Sequence, residues 1–176
     1  MPARSARDLR ALIRDIPDFP KPGIVFKDIT PLLVDPAALD AAVSGLAELA
    51  APLSVDFVVA PEARGFILGA ALARELGAGF VPARRPGKLP HETVSAEYAL
   101  EYGIDALEVH SDAIAGGARV LVHDDLLATG GTAAALCELI GGLGGEIAAC
   151  AFLIELTFLE GRARLAPHPV HALIDY

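Results

Sequence analysis

Lysine is scarce in this chain: Lys21, Lys27 and Lys88 are the whole complement, and none follows Thr132. Positive charge is in deficit overall, and a formal net charge of −9 disfavours a nucleic-acid-binding surface. An anionic substrate therefore needs a locally basic pocket. No run reaches the roughly 18 charge-free apolar residues of a transmembrane helix, so no membrane span is expected. The arginines near the N-terminus are not followed by an apolar stretch, so no secretory signal is expected either. Cysteine is limited to Cys137, in a helical pattern, and Cys150, in a strand pattern. Neither has metal-ligand spacing, and two buried thiols point to a reducing, cytoplasmic setting. Internal repeats and low-complexity tracts are absent. The 176 residues predict one domain, residues 1–176, with apolar content ample for a full core.

The most informative stretch, residues 119–132, reads Arg-Val-Leu-Val-His-Asp-Asp-Leu-Leu-Ala-Thr-Gly-Gly-Thr. Its β-branched, apolar start predicts a short buried strand that ends where Asp124 and Asp125 stand. Small residues, Ala128 to Thr132, then make a loop, and residues 133–140 predict a helix. A strand, a small-residue turn and a helix start present free backbone N–H groups to an anion, with the helix dipole behind them. Gly130 and Gly131 let the backbone approach a phosphate closely, and Thr129 and Thr132 add hydroxyl donors. No Lys follows the glycines, which argues against a nucleoside triphosphate loop. Two carboxylates beside a phosphate cradle suit the vicinal hydroxyls of a ribose or the water shell of Mg²⁺. A sugar phosphate fits this better than a nucleotide tail; the plainer alternative is a helix-capping acid pair with turn glycines. His123 is expected to be a satisfied strand-end histidine whose side chain alternates away from Asp124.

Elsewhere the pattern alternates between strand and helix. Leu9, Leu12, Ile13 and Ile16 at helical spacing predict a helix over residues 5–16, with Ser5 as N-cap and Pro17 as its stop. Residues 18–31 hold three prolines and a glycine yet are rich in apolar side chains, so an ordered, irregular segment against the domain is expected. Asp35 and Pro36 open a helix to about Ala50. A strand over residues 56–60 leads through Pro61-Glu62-Ala63-Arg64-Gly65 into a helix over residues 66–76, closed by Gly77. Arg64 at that helix start suits an anion as well as it suits a solvated helix end. Residues 79–83 form a third strand, followed by a basic loop, residues 84–90, carrying Arg84, Arg85 and Lys88. An antiparallel ribbon is expected from strands 98–102 and 106–110 around a turn at Gly103-Ile104-Asp105. The helix from Thr132 ends between Gly141 and Gly145, residues 147–156 form a long apolar strand, and a turn or short helix over 158–165 precedes a last strand, 170–175. Such alternation predicts an α/β fold with a mainly parallel sheet, its ligand at the carboxyl ends of the strands.

The string Val-Leu-Val-His-Asp-Asp-Leu-Leu-Ala-Thr-Gly-Gly-Thr closely resembles the phosphoribosyl pyrophosphate (PRPP) signature of the type I phosphoribosyltransferases. Further blocks extend the resemblance over nearly the whole chain and point to the branch that uses adenine. They are Phe-Pro-Lys-Pro-Gly-Ile-Val-Phe-Lys-Asp-Ile-Thr-Pro-Leu, Glu-Ala-Arg-Gly-Phe, Arg-Pro-Gly-Lys-Leu-Pro, Leu-Glu-Tyr-Gly and Leu-Glu-Gly-Arg. The resemblance implies a twisted, mainly parallel sheet flanked by helices, a small base-binding hood built partly by residues 1–34, and a flexible β-ribbon loop. It implies transfer of the phosphoribosyl group from PRPP to adenine, giving AMP and pyrophosphate in purine salvage. The implied cofactor is Mg²⁺, held by PRPP and water with no direct protein ligand, and the implied assembly is a homodimer.

The resemblance also implies residue roles. Asp124 and Asp125 hold the ribose hydroxyls, and Ala128, Thr129, Gly130, Gly131 and Thr132 hold the 5′-phosphate. Glu62, Ala63, Arg64 and Lys88 take pyrophosphate, with a non-proline cis peptide expected beside Arg64. Val25, Phe26 and Lys27 form the adenine pocket, Phe26 stacking on the purine while backbone at Val25 and Lys27 reads its edge. Arg84, Arg85 and Tyr102 belong to the flexible loop, and Glu101 is the acid–base residue. By residue type alone, Phe26 is as well read as core and Glu101 as an exposed strand-edge acid. His123 departs from the family, which usually has an apolar residue there, and Ala60 stands before Pro61 where Gly is frequent.

Two rivals differ in base or in class: a 6-oxopurine phosphoribosyltransferase, and a non-catalytic PRPP-sensing regulator that binds nucleic acid. Similar oxopurine enzymes use a Lys after the PRPP loop, and here only Arg162 and Arg164 remain as long cations, in a turn expected to be solvated. The regulator needs a basic face and an appended helix-turn-helix segment, and neither is apparent in the sequence.

Overall fold

The computed structural model describes residues 9–100 and 103–176. Its first strand corrects the expected N-terminal helix. Helical geometry stops at Arg10, and β1 (Arg14–Pro17) pairs antiparallel with β2 (Val25–Asp28), Ile16 opposite Phe26. The spacing of Leu9, Leu12 and Ile13 still carries them to the core, but a partner strand satisfies the backbone of residues 14–17 better than one more helical turn. Next come α1 (Thr30–Leu33) and α2 (Pro36–Ala50). The Asp35 side chain caps α2 by accepting from the N–H groups of Ala37 and Ala38.

The chain then alternates: β3 (Phe57–Pro61), α3 (Arg64–Leu76), β4 (Gly79–Ala83), the ribbon β5 (Thr93–Leu100) and β6 (Gly103–His110), then β7 (Arg119–Leu127) and α4 (Gly131–Gly142). It finishes with β8 (Glu146–Glu155), a short 3-10 turn, α5 (Arg162–Leu165) and β9 (Val170–Asp175). Five strands form one parallel sheet in the order β4-β3-β7-β8-β9. Both faces are covered. Leu121, Ala149, Ala151 and Leu153 pack with α2 and α3 on one side. Val120, Val122, Cys150 and Phe152 pack with α4 and the ribbon on the other. Burial on both faces is why β8 reads as an unbroken apolar run rather than an alternating one.

The ribbon differs from its expected form. Gly103, Ile104 and Asp105 lie inside β6, and the antiparallel register sets Tyr98 opposite Asp105. Gly and Asp signal a turn locally, whereas pairing with residues 98–100 of β5 carries β6 back through them. In the main sheet the chain adds β4 on one side of β3, then returns to place β7 on the other. The strand order therefore reverses between β3 and β7, and a crevice opens there at their carboxyl ends.

Candidate active site

A cleft of about 170 Å³ occupies that crevice. Glu62, Ala63 and Arg64 line it from the β3–α3 turn, Asp124 and Asp125 from β7, and Arg85, Tyr98 and Asp105 from the β4 loop and the ribbon. A second hollow of about 70 Å³ shares Asp124 and Thr132 and is lined by residues 128–131. The expected PRPP residues are thus brought together. Strand β7 runs on to Leu127, so the acids lie within the strand rather than beyond it.

His123 and Asp124 are neighbours on β7 with opposite surroundings, as alternation requires. His123 is fully buried, its Nδ1 2.9 Å from the Ala151 carbonyl oxygen and its Nε2 without a partner among the described residues. Burial depresses its pKa to about 4, so the ring is neutral. Asp124 Oδ1 accepts the Asp125 N–H at 2.8 Å. Burial, reinforced by the charge of Asp125, holds the Asp124 carboxyl well above the usual carboxylate range. Burial also raises Asp125, with Arg64 opposing. Arg64 Nε lies 3.0 Å from Asp125 Oδ2. The pair is ionic without hydrogen-bond alignment, so that buried oxygen has no hydrogen-bond donor among the described residues. Such an oxygen can accept a ligand hydroxyl or a water held by a metal ion.

Gly130 caps α4 at φ 82°, a left-handed conformation that favours glycine, and a Cβ there would come within 2.5 Å of the Gly161 carbonyl oxygen. The anion loop is therefore seated against the turn before α5. Arg162 secures that turn. Its guanidinium donates to both oxygens of the buried Glu155, at 2.7 and 2.9 Å from Nε, and to the Val170 carbonyl at 2.7 Å. Arg162 is half-exposed, as expected of a residue in a solvated turn, yet its side chain is committed to Glu155, a partner 7 residues away that helical or turn spacing does not reveal.

The Glu62–Ala63 peptide is cis, in line with the resemblance. The Glu62 carboxylate accepts from Arg84 Nε at 2.8 Å and from the Arg85 N–H at 2.9 Å. The Arg85 N–H chiefly holds its pKa below the usual range. It therefore braces the β4 loop. Lys88 does not line the cleft; its carbonyl accepts from Arg84 at 3.1 Å. Arg64 also stacks over Phe26, its Cζ 4.7 Å from the ring centroid, which joins the β1–β2 hood to the acid pair. Val25 is exposed, and the Lys27 side chain turns to Asp15, leaving backbone as what residue 27 can offer a ligand. Glu101 and Tyr102 lie outside the described residues.

Tyr98 and Asp105 are site residues that sequence reasoning missed. The Tyr98 hydroxyl is 3.4 Å from Asp105 Oδ2, and Arg85 Nε is 3.7 Å from the same oxygen. The available signal was alternation: residues 105 and 107 share a face of β6, and both reach the cleft. Reading Asp105 as a turn residue hid it.

The family described as phosphoribosyl transferase domain matches residues 30–168. The adenine phosphoribosyltransferase of Methylococcus capsulatus is 60% identical over 168 residues, 96% of this chain and 98% of that protein. A crystal structure of adenine phosphoribosyltransferase from Thermoanaerobacter pseudethanolicus matches with a TM-score of 0.96 at 52% identity, covering 98% of this chain and 100% of that one. The Saccharomyces cerevisiae enzyme, crystallised with adenine and an imino-altritol bisphosphate, matches with a TM-score of 0.90 at 39% identity, covering 96% and 97%. With a parallel sheet and an acid pair lining the crevice where its strand order reverses, and with these matches over nearly its whole length, the chain belongs to the phosphoribosyl transferase domain family and, within it, to the adenine phosphoribosyltransferases.

Proposed function

We propose that this chain transfers the 5-phosphoribosyl group of PRPP to adenine, forming AMP and pyrophosphate in purine salvage. One observation carries the reading: Arg64 touches both the buried acid Asp125 and the hood aromatic Phe26, which links a sugar-phosphate site to a base site. The S. cerevisiae relative's adenine complex supports the choice of base.

In this reading residues 128–132 hold the 5′-phosphate on the N–H groups that open α4, and Asp124 and Asp125 accept the ribose hydroxyls. Phe26 stacks on adenine, and backbone groups of Val25 and Lys27 read its edge. The bond from C1′ to pyrophosphate breaks as purine N9 bonds to C1′, and Glu101 takes the purine proton. Arg64, with Ala63 and Glu62 shaping its turn, faces the charge that develops on pyrophosphate, and Lys88, outside the cleft in this structure, joins it when its loop closes. Arg84, Arg85 and Tyr102 belong to the loop that covers it. The residues fit Mg²⁺ held by substrate oxygens and water: Asp125 offers a buried acceptor for a metal-bound water. When bound, Mg²⁺ supplies neutralising charge for the leaving group.

The same proposal covers one domain over residues 1–176, with the first 34 contributing to the hood, and a homodimer in the cytoplasm. Ile29 and Leu32 are buried in the core of the main sheet, which supports a shared domain. Free Cys137 and Cys150, with sulfurs 3.7 Å apart, suit a reducing compartment. No helix among the described residues is long and apolar enough to cross a membrane. Initial rates with PRPP, Mg²⁺ and adenine, hypoxanthine or guanine test the function. Turnover of adenine is expected; nucleic-acid binding without turnover of any base overturns it.

A further inference from the structure

We infer that Tyr176 is a positioning residue for base recognition, holding the Val25, Phe26 and Lys27 segment in place from the face of β2 that carries Lys27. The inference rests on the adenine-pocket reading above. A two-stranded ribbon such as β1–β2 is marginal by itself, so its placement depends on what it is fastened to. The two faces of β2 are fastened differently. Phe26 points to Arg64, which lines the cleft, whereas Lys27, its neighbour in an alternating strand, points the other way to Tyr176. Lys27 Nζ lies 2.7 Å from Asp15 Oδ1, its cross-strand partner, and 3.7 Å from the centroid of the Tyr176 ring. The Lys27 side chain is 10% exposed, so the ammonium over the ring is largely withdrawn from water, the setting in which a cation–π contact is strongest.

The ring is itself clamped. Arg10 Cζ lies 4.1 Å from its centroid, and Arg10 Nη1 donates to the Asp175 carbonyl at 2.8 Å. The Tyr176 backbone is tied to the end of β8: its N–H donates to Glu155 at 2.8 Å, and its carbonyl accepts from Thr157 N at 3.0 Å and from Thr157 Oγ1 at 2.7 Å. Glu155 is also the carboxylate that Arg162 grips behind the phosphate loop. Tyr176 therefore refers the base-reading backbone to the frame that seats the phosphate. Misplacement of a binding group by about an ångström weakens recognition sharply, so loss of this ring acts on the base and not on PRPP.

The test compares Tyr176→Leu, Tyr176→Phe and wild type in steady-state kinetics and in amide hydrogen exchange. Tyr176→Leu is expected to raise the KM for adenine about three- to thirtyfold with the KM for PRPP unchanged. Exchange should quicken over residues 14–28 and stay the same in β7. Tyr176→Phe, which keeps the ring face, should restore both. An adenine KM within about twofold of wild type, with unaltered exchange over residues 14–28 in folded Tyr176→Leu, overturns the inference. Should Tyr176→Leu not fold, Lys27→Met removes the cation from the other side, and an unmoved adenine KM there overturns it equally. A wild-type protein that does not turn over adenine defeats the functional reading, while the exchange comparison still decides the clamp.

Discussion

Arg64 Nε stands 3.0 Å from Asp125 Oδ2, so the first residue of α3 and an acid of β7 share an ion pair across the point where strand order reverses. The pair is half in water on the arginine side and buried on the aspartate side. In the proposed reaction that asymmetry would free Arg64 to turn toward the leaving group while Asp125 accepts a substrate hydroxyl.

Asp125→Asn keeps the shape and removes the charge. A charge-assisted hydrogen bond contributes about 1.5–3 kcal/mol, so the KM for PRPP should rise roughly tenfold to a hundredfold with the melting temperature little changed. Unchanged PRPP kinetics in the folded variant would remove Asp125 from the ribose site.

Glu101→Gln should lower kcat by about 10²- to 10⁴-fold while PRPP binding stays near wild type, because proton transfer alone is lost. Pre-steady-state rates, which isolate the chemical step, are the measurement. A near-normal chemical step means that the purine proton goes elsewhere.

Adenine should exceed hypoxanthine and guanine in kcat/KM by up to about 10⁴–10⁵, since a backbone carbonyl that accepts from the 6-amino group opposes a 6-oxo group. The Lys27 ammonium is taken by Asp15 and Tyr176, and Arg162 by Glu155, so neither is at hand to serve an oxopurine. A preference of only about tenfold, near 1.4 kcal/mol, would falsify the adenine assignment.

His123 predicts an acid-side loss of stability. Its folded pKa is about 4 against an ordinary 6.5, so both states are neutral above pH 6.5 and the residue contributes fully there. As pH falls from 6.5 to 4 the unfolded chain binds the proton first, and roughly 3 kcal/mol is lost by pH 4. His123→Leu should flatten this decline relative to wild type, because other acid-sensitive groups such as Glu62 and Asp28 are common to both proteins. Urea midpoints from pH 7 to 4 decide the matter; parallel curves would mean the ring is protonated in the folded state.

Arg162→Ala leaves the Glu155 carboxylate buried without its cation. Breaking a fully buried pair costs about 3–5 kcal/mol, and with Arg162 49% exposed about 2 kcal/mol is expected. Denaturant unfolding measures it. The KM for PRPP should rise as well, since Gly161 backs the phosphate loop; wild-type stability and PRPP affinity together would leave the turn without the supporting role described.

What the chain determined by itself is local in range. Asp35 and Pro36 start α2 because a cap and a fixed φ act within one turn, and residues 170–175 form the last strand expected of them. The acid pair and the glycine loop were legible together because the chemistry of a sugar phosphate needs them within nine residues of sequence, Asp124 to Thr132. What the tertiary structure decided was every partner distant in the chain. Residues 14–17 are a strand because β2 lies beside them, although their own spacing is helical. Asp105 faces the cleft because Tyr98 pairs with it, and Arg162 is bound because Glu155 is buried beneath it. Arg64 meets Phe26 and Asp125 only when the hood, α3 and β7 converge, positions 26, 64 and 125 of one chain. Periodicity and capping report energies that act over a few residues; these contacts exist because the packed sheet closes long loops, and no local pattern encodes which ends will meet.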